Sequence, residues 1–213
     1  MTDTASNDAA RGHSTATLFE ASSSAARACD PSVRAVWPGA RVAGRAFTVQ
    51  GIGGDNLALH RAVATAPAGS VLVVDLQGAQ HGHWGEILAV AAQQRGILGL
   101  VIDGGVRDVA EQQALNFPVF ARHITVVGTG KEHSGQFDVP VRVGGAVVRP
   151  GDLVVGDADS VVVVPASAVA KTLDQADARV AAERRALAAL RAGVTTVEYY
   201  DLSAAPGTAV KPV

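Results

Sequence analysis

Two short segments contain residue types whose spacing is typical of a site for a small anionic ligand. The first is Trp84-Gly85-Glu86, and the second is Asp103-Gly104-Gly105-Val106-Arg107-Asp108. Arg107 has a planar guanidinium that suits a carboxylate or a developing enolate oxygen. Asp108 supplies the hard oxygen ligands that Mg²⁺ and Mn²⁺ prefer. Because exposed N–H groups at the helix N-terminus over 85–88 would bind an anion, the two segments together favour a chelating 2-oxo acid as ligand.

A purely structural interpretation competes with this one on spacing alone. Asp103 and Asp108 would then be helix caps, which acidic residues often are, and Arg107 would form a surface ion pair. Gly104 and Gly105 allow either a tight turn or the close approach of a ligand. Both interpretations stay open at this level.

The hydrophobic pattern places the two segments after buried strands and at the start of helices. Ser70–Asp75 and Leu98–Ile102 are short, apolar and β-branched, which is typical of buried strands. Helices are predicted over Glu86–Arg95 and over about Asp108–Leu115. Since ligands of such folds lie outside the carboxyl ends of strands, we expect the site where these two strands end.

The rest of the pattern predicts one α/β domain with a mixed sheet. Further strands are predicted over Ala43–Gln50, Pro118–Ala121, Val139–Val143, Ala146–Arg149, Leu153–Val155 and Val161–Val164, and further helices over Thr17–Ala28, from Asp55 or Asn56 to about Ala66, and over 166–192. We expect a flexible tail over residues 1–14, a single domain over 15–200 that includes the helix 166–192, and a polar tail over 201–213.

Composition excludes several classes of protein. The net charge is -2, without the clustered Lys and Arg that nucleic-acid binding needs. Cys29 is the only cysteine, so an intrachain disulfide is excluded, which suits a reducing cytoplasm. The first ten residues lack the apolar stretch of a signal peptide, and no apolar run is long enough to span a membrane. We therefore expect a cytoplasmic protein without nucleic-acid or membrane partners.

Seven stretches of the sequence, in order, carry a resemblance to a known family. They are WPGARVAGRAFTV (37–49), GDNLALHRAV (54–63), GSVLVVD (69–75), WGEILAVAA (84–92), GLVIDGGVRDVAE (99–111), FPVFAR (117–122) and PGDLVVGDADSVVVVP (150–165). From about Trp37 to Pro165 the chain resembles the class II 4-hydroxy-4-methyl-2-oxoglutarate aldolases. The same family contains the regulator of ribonuclease E activity A (RraA).

The resemblance implies a mixed-sheet fold of the β/β/α swivelling type, with N- and C-terminal helices and assembly as a homotrimer or a dimer of trimers. The family's diagnostic motif is an acidic residue, twenty intervening residues and then Arg-Asp, which Glu86 and Arg107-Asp108 satisfy. The regulator branch lacks the acidic residue, so Glu86 favours the enzyme branch.

By resemblance, the enzyme would use a divalent cation, Mg²⁺ or Mn²⁺, to cleave a small 2-oxo acid to pyruvate through an enolate. Oxaloacetate decarboxylation passes through the same enolate and is expected too. The resemblance implies that Asp108 binds the cation, that Arg107 contacts the keto or enolate oxygen and that Asp103 holds a water that shuttles protons. Glu86 would support the cation's water shell, and Glu183 would approach the cation from a neighbouring subunit. The substrate carboxylate would be bound by the backbone amides of Gly85, Glu86, Ile87 and Leu88.

Other functions have weaker support in the sequence. The alternative is a non-catalytic regulator that binds a ribonuclease or an RNA helicase. A Schiff-base aldolase is disfavoured because none of the matched motifs contains a lysine. Methyl transfer is disfavoured because no S-adenosylmethionine-type glycine loop with an acidic partner is present. Two departures from the family pattern, Glu20 and Ser160, leave the natural substrate open.

Histidines and one lysine outside the motifs are further candidates. His81 and His83 would lie on one side of a strand, either as a transition-metal pair or as part of the substrate entrance. His60 is interpreted as a packing residue in a helix. Lys131 lies in the Gly128–Gly135 loop, which either meets a distal carboxylate of the substrate or is simply solvated.

Overall fold

The structure, a computed structural model, describes residues 3–202, with side chains from residue 6 onward. The chain forms two compact units, residues 1–176 and 177–213. The helices are α1 (Asp3–Arg11), α2 (Thr15–Ala21), α3 (Leu57–Thr65), α4 (Glu86–Gln94), α5 (Val109–Ala114), α6 (Val169–Arg191) and α7 (Thr196–Tyr199), with a 3₁₀ turn at Ala166–Ala168. The strands are β1 (Arg27–Ala28), β2 (Arg34–Ala35), β3 (Val42–Gln50), β4 (Ser70–Trp84), β5 (Gly99–Val106), β6 (Val119–Ile124), β7 (Gln136–Phe137), β8 (Val141–Val143), β9 (Ala146–Val148), β10 (Leu153–Gly156) and β11 (Val161–Val164).

A nine-stranded mixed sheet forms the centre of the first unit. Its order is β1-β11-β10-β3-β4-β5-β6-β2, and β7 pairs with β3. Strands β3 to β6 are parallel, while β10, β11, β1, β2 and β7 pair antiparallel. Strands β8 and β9 form a separate hairpin. The predicted mixed α/β fold with terminal helices is therefore confirmed.

The central strands are buried on both faces, which explains their nearly continuous apolar sequences. Alternate side chains point to opposite faces, so Leu72 and Ile102 pack with α3 and α4. Val71 and Val101 pack on the other face with the β8–β9 hairpin. The parallel pairing of β3, β4 and β5 thereby brings the start of α4 and the segment after β5 to the same edge of the sheet.

Strands β4 and β5 are longer than predicted. The sequence indicated ends at Asp75 and Ile102, but the strands continue to Trp84 and Val106 with shifts of register between them. Gln77 has a φ of 56°, at the first of these shifts. Gly105 does not form a turn: a Cβ there would overlap with the carbonyl oxygen of His81, so glycine permits close strand packing.

The N-terminal segment contains a helix that the sequence interpretation did not place. Residues 1–14 were predicted as a flexible tail, whereas α1 covers Asp3–Arg11 with Ala10 fully buried against the sheet. Ser14 caps α2, and the buried Asp157 accepts hydrogen bonds from the N–H and the hydroxyl of Thr15 at 2.8 and 2.7 Å. Alanine-rich sequence and this anchor explain the order in a segment that looks polar.

The second unit is helical in its described part. Helix α6 ends at Arg191, one residue before the predicted end, and α7 begins with a capping box between Thr195 and Glu198. The predicted C-terminal tail over 201–213 lies mostly outside the described residues. Among the residues that are described, no helix has the length and apolar character that crossing a membrane requires.

Candidate active site

A cavity of about 120 Å³ opens where β4 ends and α4 begins. Its walls bring together a carboxylate, an arginine, a lysine and two histidines. The lining residues are Asn56, His60, Gly82, His83, Gly85, Ile87, Leu88, Arg107, Asp108 and Lys131. Segments far apart in sequence therefore meet in one concave site, and five of the residues predicted to bind substrate or metal belong to it: Gly85, Ile87, Leu88, Arg107 and Asp108.

Asp108 is fixed by a contact with the neighbouring helix. Its backbone is left-handed, with φ 57° and ψ 47°, and its side chain does not cap its own helix α5. Instead Oδ2 accepts a hydrogen bond from the N–H of Glu86 at 3.0 Å and lies 3.7 Å from Nε of Arg107. A non-glycine residue in this conformation costs of the order of 1–2 kcal/mol, although Asp tolerates it better than most. This conformation directs the carboxylate of Asp108 toward the cavity.

Arg107 is held through its backbone while its side chain stays accessible. Its N–H donates to the carbonyl of Trp84 at 2.8 Å, and its carbonyl accepts from the fully buried amide of Gln112. The side chain is 46% exposed and lines the cavity. The guanidinium is therefore anchored at its base and free to bind an anionic ligand.

The backbone N–H groups of the first turn of α4 face the cavity. Gly85 is the N-cap, and its extended backbone carries no side chain that would cap the helix. Asp108 satisfies the N–H of Glu86, and the first-turn N–H groups of Ile87 and Leu88 have no acceptor within the helix. Glu86 itself is exposed and is not among the lining residues, although both its neighbours are.

Lys131 reaches the cavity from a loop that the buried Asp55 holds. Oδ2 of Asp55 accepts from the N–H of Glu132 at 2.6 Å, and Oδ1 accepts from the N–H of His133 at 3.2 Å. Gly130 pairs with Gly54 through an N–H···O bond of 2.8 Å. Burial raises the pKa of Asp55, but these backbone N–H groups and the nearby His133 lower it more, so the carboxyl stays ionised.

The two histidines of the His81-x-His83 motif do not form a free pair of ligands. Their rings make an edge contact with centroids 5.6 Å apart. His83 is fully buried, and its Nε2 accepts the N–H of Gly54 at 3.0 Å, which leaves Nδ1 to donate to the carbonyl of Gly105 at 3.3 Å. Burial lowers the pKa of His83. His83 is therefore a neutral residue that joins the loop at Gly54 to β5 at Gly105, and its ring nitrogens are not available as metal ligands.

Asp103 lies apart from the other predicted residues. It is buried in a second depression with Arg122, whose guanidinium contacts it at 2.5 and 2.9 Å, and it also accepts the N–H of Gly144 at 2.7 Å. Its contacts are those of a structural ion pair. The structure does not bring Asp103 to the cavity of Asp108, and its role in proton transfer stays a prediction without geometric support.

Glu183 belongs to the second unit. Its carboxylate pairs with Nε of Arg179 at 2.9 Å, one helical turn away, and both side chains are partly exposed. The predicted approach of Glu183 to the cation of a neighbouring subunit stays a prediction.

Stability should fall on acidification in two stages. His83 has a pKa below its ordinary value because it is buried, so the unfolded chain takes up its proton more readily and stability declines as pH falls below about 6.5. For Asp103, burial raises the pKa, but the hydrogen bonds from Arg122 and Gly144 lower it more. Its stabilising contribution is therefore present above about pH 4 and lost as pH falls further.

The measurement is the free energy of unfolding in urea from pH 8 to pH 3. His83→Gln should lessen the decline between pH 7 and pH 5, to which His60 also contributes because its pKa is lowered, while leaving the steeper loss below pH 4. An unchanged profile between pH 7 and pH 5 in that variant would contradict the assignment.

Sequence reasoning missed some of the residues that shape the site. Gln112, which holds Arg107, and Arg122, which neutralises Asp103, were not singled out. Asn56 was read only as a helix cap, yet its amide donates to the carbonyl of His83 at 3.0 Å inside the cavity wall. His60 was assigned to packing but lines the cavity. A polar residue inside an apolar helical pattern was the available signal for His60.

Comparison with known proteins tests the family resemblance independently of the site geometry. A family model described as RraA-like, Aldolase/RraA, matches residues 15–163. A protein of Halalkalibacterium halodurans named as a candidate 4-hydroxy-4-methyl-2-oxoglutarate aldolase is 38% identical over 161 residues, which cover 75% of this chain and 77% of that protein.

Solved structures with the same fold include proteins of more than one description. An uncharacterised protein of Pseudomonas syringae has a TM-score of 0.82 and 32% identity, with 90% of this chain and 91% of that chain covered. The RNA-processing inhibitor RraA of Thermus thermophilus has a TM-score of 0.65 and 30% identity, covering 71% and 92%. The comparisons therefore include a candidate aldolase and an inhibitor of RNA processing.

Proposed function

The chain belongs to the RraA-like family, Aldolase/RraA, and from this premise we propose that it is a divalent-cation-dependent lyase that releases pyruvate from small 2-oxo acids. The observation that carries the proposal is the convergence of Asp108, Arg107 and the first turn of α4 on one cavity. An anionic ligand with a 2-oxo group needs a cation site, an arginine and backbone donors, and these are the groups present.

The donor set of the cavity fits a hard divalent cation. Among the described residues, no group of three His, Cys, Asp or Glu side chains is placed to hold a metal ion. Oδ2 of Asp108 is engaged by Glu86, while no hydrogen bond to Oδ1 is formed within the described part of the chain. Mg²⁺ commonly binds through one or two carboxylates with several waters and the ligand itself, so a single carboxylate suits Mg²⁺ or Mn²⁺ better than Zn²⁺.

A bound cation would act as a Lewis acid toward the 2-oxo group of the substrate. The substrate carboxylate would accept hydrogen bonds from the N–H groups of Ile87 and Leu88. Arg107 adds a preorganised positive charge where the enolate oxygen develops. When the C3–C4 bond breaks, its electron pair passes into the enolate and the 4-hydroxyl loses its proton to a base. The groups near the cavity that can take this proton are the Glu86 carboxylate and the His60 imidazole.

His60 suits such a role in its protonation state. Burial lowers its pKa, and the positive charge of Lys131 lowers it further. The imidazole is then neutral at pH 7 and able to accept a proton. Oxaloacetate decarboxylation forms the same enolate without a hydroxyl proton to remove, so it needs Asp108 and Arg107 but not this base.

The test is pyruvate release from 4-hydroxy-4-methyl-2-oxoglutarate and from oxaloacetate, each with Mg²⁺ and with EDTA. We expect turnover of both substrates with Mg²⁺, and in EDTA a fall to the rate without protein. Folded protein that stays at the metal-only background with Mg²⁺, Mn²⁺ and Co²⁺ would overturn the proposal. The second candidate function, inhibition of RNA processing, would then be preferred, and the structural likeness to the Thermus thermophilus protein favours it.

Assembly into a trimer or hexamer remains part of the proposal. Large apolar side chains are exposed on α4, at the end of β6 and just after it, at Ile87, Val90, Ile124, Val126 and Val127. Such a patch is typical of an interface between protein chains. Sedimentation velocity that finds only monomers would contradict this part.

A further inference from the structure

We propose that Gln112 is a positioning residue of the site: it fixes the peptide that joins Arg107 to Asp108 and thereby directs both side chains into the cavity. Gln112 lies on α5 and is not among the described residues that line the cavity, so its effect on the reaction passes through this pair. The inference rests on the proposed function and deepens it, because it assigns the orientation of the two central groups to a residue that lies outside the cavity wall.

Gln112 forms hydrogen bonds with the carbonyl groups of both residues. It is fully buried, and its backbone N–H donates to the carbonyl of Asp108 at 3.1 Å, as in an ordinary helical turn. Its side-chain amide donates from Nε2 to the carbonyl of Arg107. Its own carbonyl accepts the N–H of Phe117 at 3.1 Å, and the ring of Phe117 stacks on Trp84 with centroids 5.8 Å apart. Gln112 therefore joins the peptide between Arg107 and Asp108 to the hydrophobic core.

The side-chain amide of Gln112 matches only one conformation of Asp108. The backbone of Asp108 is left-handed, with φ 57°, although a residue at the N-cap of a helix is ordinarily extended. Because φ of Asp108 sets the direction of the preceding peptide, a return to negative φ would turn the Arg107 carbonyl away from Nε2 of Gln112. The hydrogen bond therefore offsets the unfavourable backbone of Asp108, which a non-glycine residue adopts only where its surroundings hold it.

Packing alone does not account for a glutamine at this buried position. Oε1 of Gln112 is buried and has no hydrogen-bond partner among the described residues. An apolar side chain of similar length would fill the space without the cost of desolvating an unpaired oxygen. Since a carbonyl oxygen only accepts, Nε2 and not Oε1 must face Arg107. The contact with Arg107 therefore explains both the presence of the amide and the orientation that leaves its oxygen unpaired.

The surroundings of the pair leave little room for a displaced peptide. Arg107 packs on Gly85, where an added Cβ would lie 3.2 Å from Cγ of the arginine. The carboxylate of Asp108 depends on the same peptide for its hydrogen bond from the N–H of Glu86 at 3.0 Å. Without the amide of Gln112, Asp108 would relax to the extended conformation of an ordinary N-cap and turn its carboxylate toward the first turn of α5. The cation ligand and the guanidinium would then be displaced together.

The experiment compares Gln112→Met with the matched control Gln93→Met. The side-chain amide of Gln93 also donates to a backbone carbonyl, that of Leu115 at 2.9 Å, and so joins α4 to the end of α5 without involving the Arg107–Asp108 peptide. The measurements are kcat and KM for pyruvate release from 4-hydroxy-4-methyl-2-oxoglutarate at saturating Mg²⁺, Mn²⁺ binding by calorimetry, urea unfolding, and a crystal structure of each variant. Gln112→Leu, which also lacks the donor, takes the place of Gln112→Met if that variant does not fold.

We expect Gln112→Met to lower kcat and to weaken Mn²⁺ binding, each on the order of tenfold, as is typical for the loss of a residue that orients a cation ligand. KM should change far less, because the backbone donors of α4 stay in place. The crystal structure of Gln112→Met should show Asp108 with a negative φ. Gln93→Met should keep the wild-type kcat, the wild-type Mn²⁺ affinity and the left-handed Asp108.

The outcomes separate the positioning role from the proposed function. Wild-type kcat and Mn²⁺ affinity in Gln112→Met, with a loss confined to the urea midpoint, would overturn the positioning role while leaving the lyase intact. Equal losses of kcat in Gln93→Met would do the same, since they would show a general effect of the contact between α4 and α5. A left-handed Asp108 in the crystal structure of Gln112→Met would overturn the conformational argument. Absence of pyruvate release by the wild type would overturn the proposed function itself and this inference with it.

Discussion

Asp108→Asn and Asp108→Ala should each lower kcat/KM for pyruvate release at least about a thousandfold, because each removes the proposed cation ligand, the one carboxylate among the described residues that line the cavity. The two variants should differ in stability. Asparagine keeps an oxygen that accepts the N–H of Glu86 and tolerates the left-handed backbone, whereas alanine offers neither. Loss of such a cap costs about 1 kcal/mol, so only Asp108→Ala should unfold at measurably lower urea concentration.

The measurements are kinetics over a wide Mg²⁺ range, Mn²⁺ binding by calorimetry, and urea unfolding. Weakened Mn²⁺ binding in Asp108→Asn, at unchanged stability, ties the loss of rate to the cation. Glu183→Gln is an informative companion, because Glu183 was predicted to approach the cation from another subunit. Nearly wild-type turnover in Asp108→Asn would contradict both the cation site and the proposed class of reaction.

The position of Asp108 is compatible with both interpretations that spacing left open, because its carboxylate accepts an N–H group of a helix and also lines the cavity. A helix cap was the structural alternative, and Asp108 does cap a helix, but the helix is α4 rather than its own α5. The carboxylate therefore joins two segments that are 22 positions apart in sequence. The fixed spacing of the acidic residue and Arg-Asp is explained by this contact, since α4 and β5 must return to the same edge of the sheet.

Most of the fold could be predicted because its signals are local. Val-rich runs bounded by glycine and proline indicated β3, β10 and β11 to within two residues, and the alanine-rich pattern indicated α6. The ends of β4 and β5 could not be predicted, since they depend on register shifts against neighbouring strands. Residues 76–84 are rich in glycine and histidine, so their sequence alone does not indicate a strand. The pairing with neighbouring strands makes this segment extended.

Part of the site could be predicted because its signals, too, are local in sequence. Arg107, Asp108 and the amides of α4 belong to two short motifs, each of which follows a predicted buried strand, so their convergence was foreseeable. Asp103 was grouped with them by proximity in sequence, but it precedes Arg107 by four residues on an extended strand, and its side chain contacts Arg122 on β6. The partners that decide such cases come from distant segments, and one sequence without tertiary contacts does not identify them.

Gly85→Ala should lower kcat/KM about a hundredfold and cost about 1 kcal/mol of stability, because the displaced Asp108 no longer accepts the N–H of Glu86. The backbone at this position is extended, with φ −155° and ψ −167°, so alanine is tolerated there. A Cβ would, however, overlap with Oδ2 of Asp108 and lie 3.2 Å from Cγ of Arg107, which displaces both groups from the cavity. Misplacement of catalytic groups by about 1 Å typically costs that much in rate. Gly128→Ala is the matched control, because a Cβ there meets no atom within 4 Å. Full activity in Gly85→Ala, with the Glu86–Asp108 contact intact in its crystal structure, would show that the carboxylate tolerates this crowding and would sink the geometric argument.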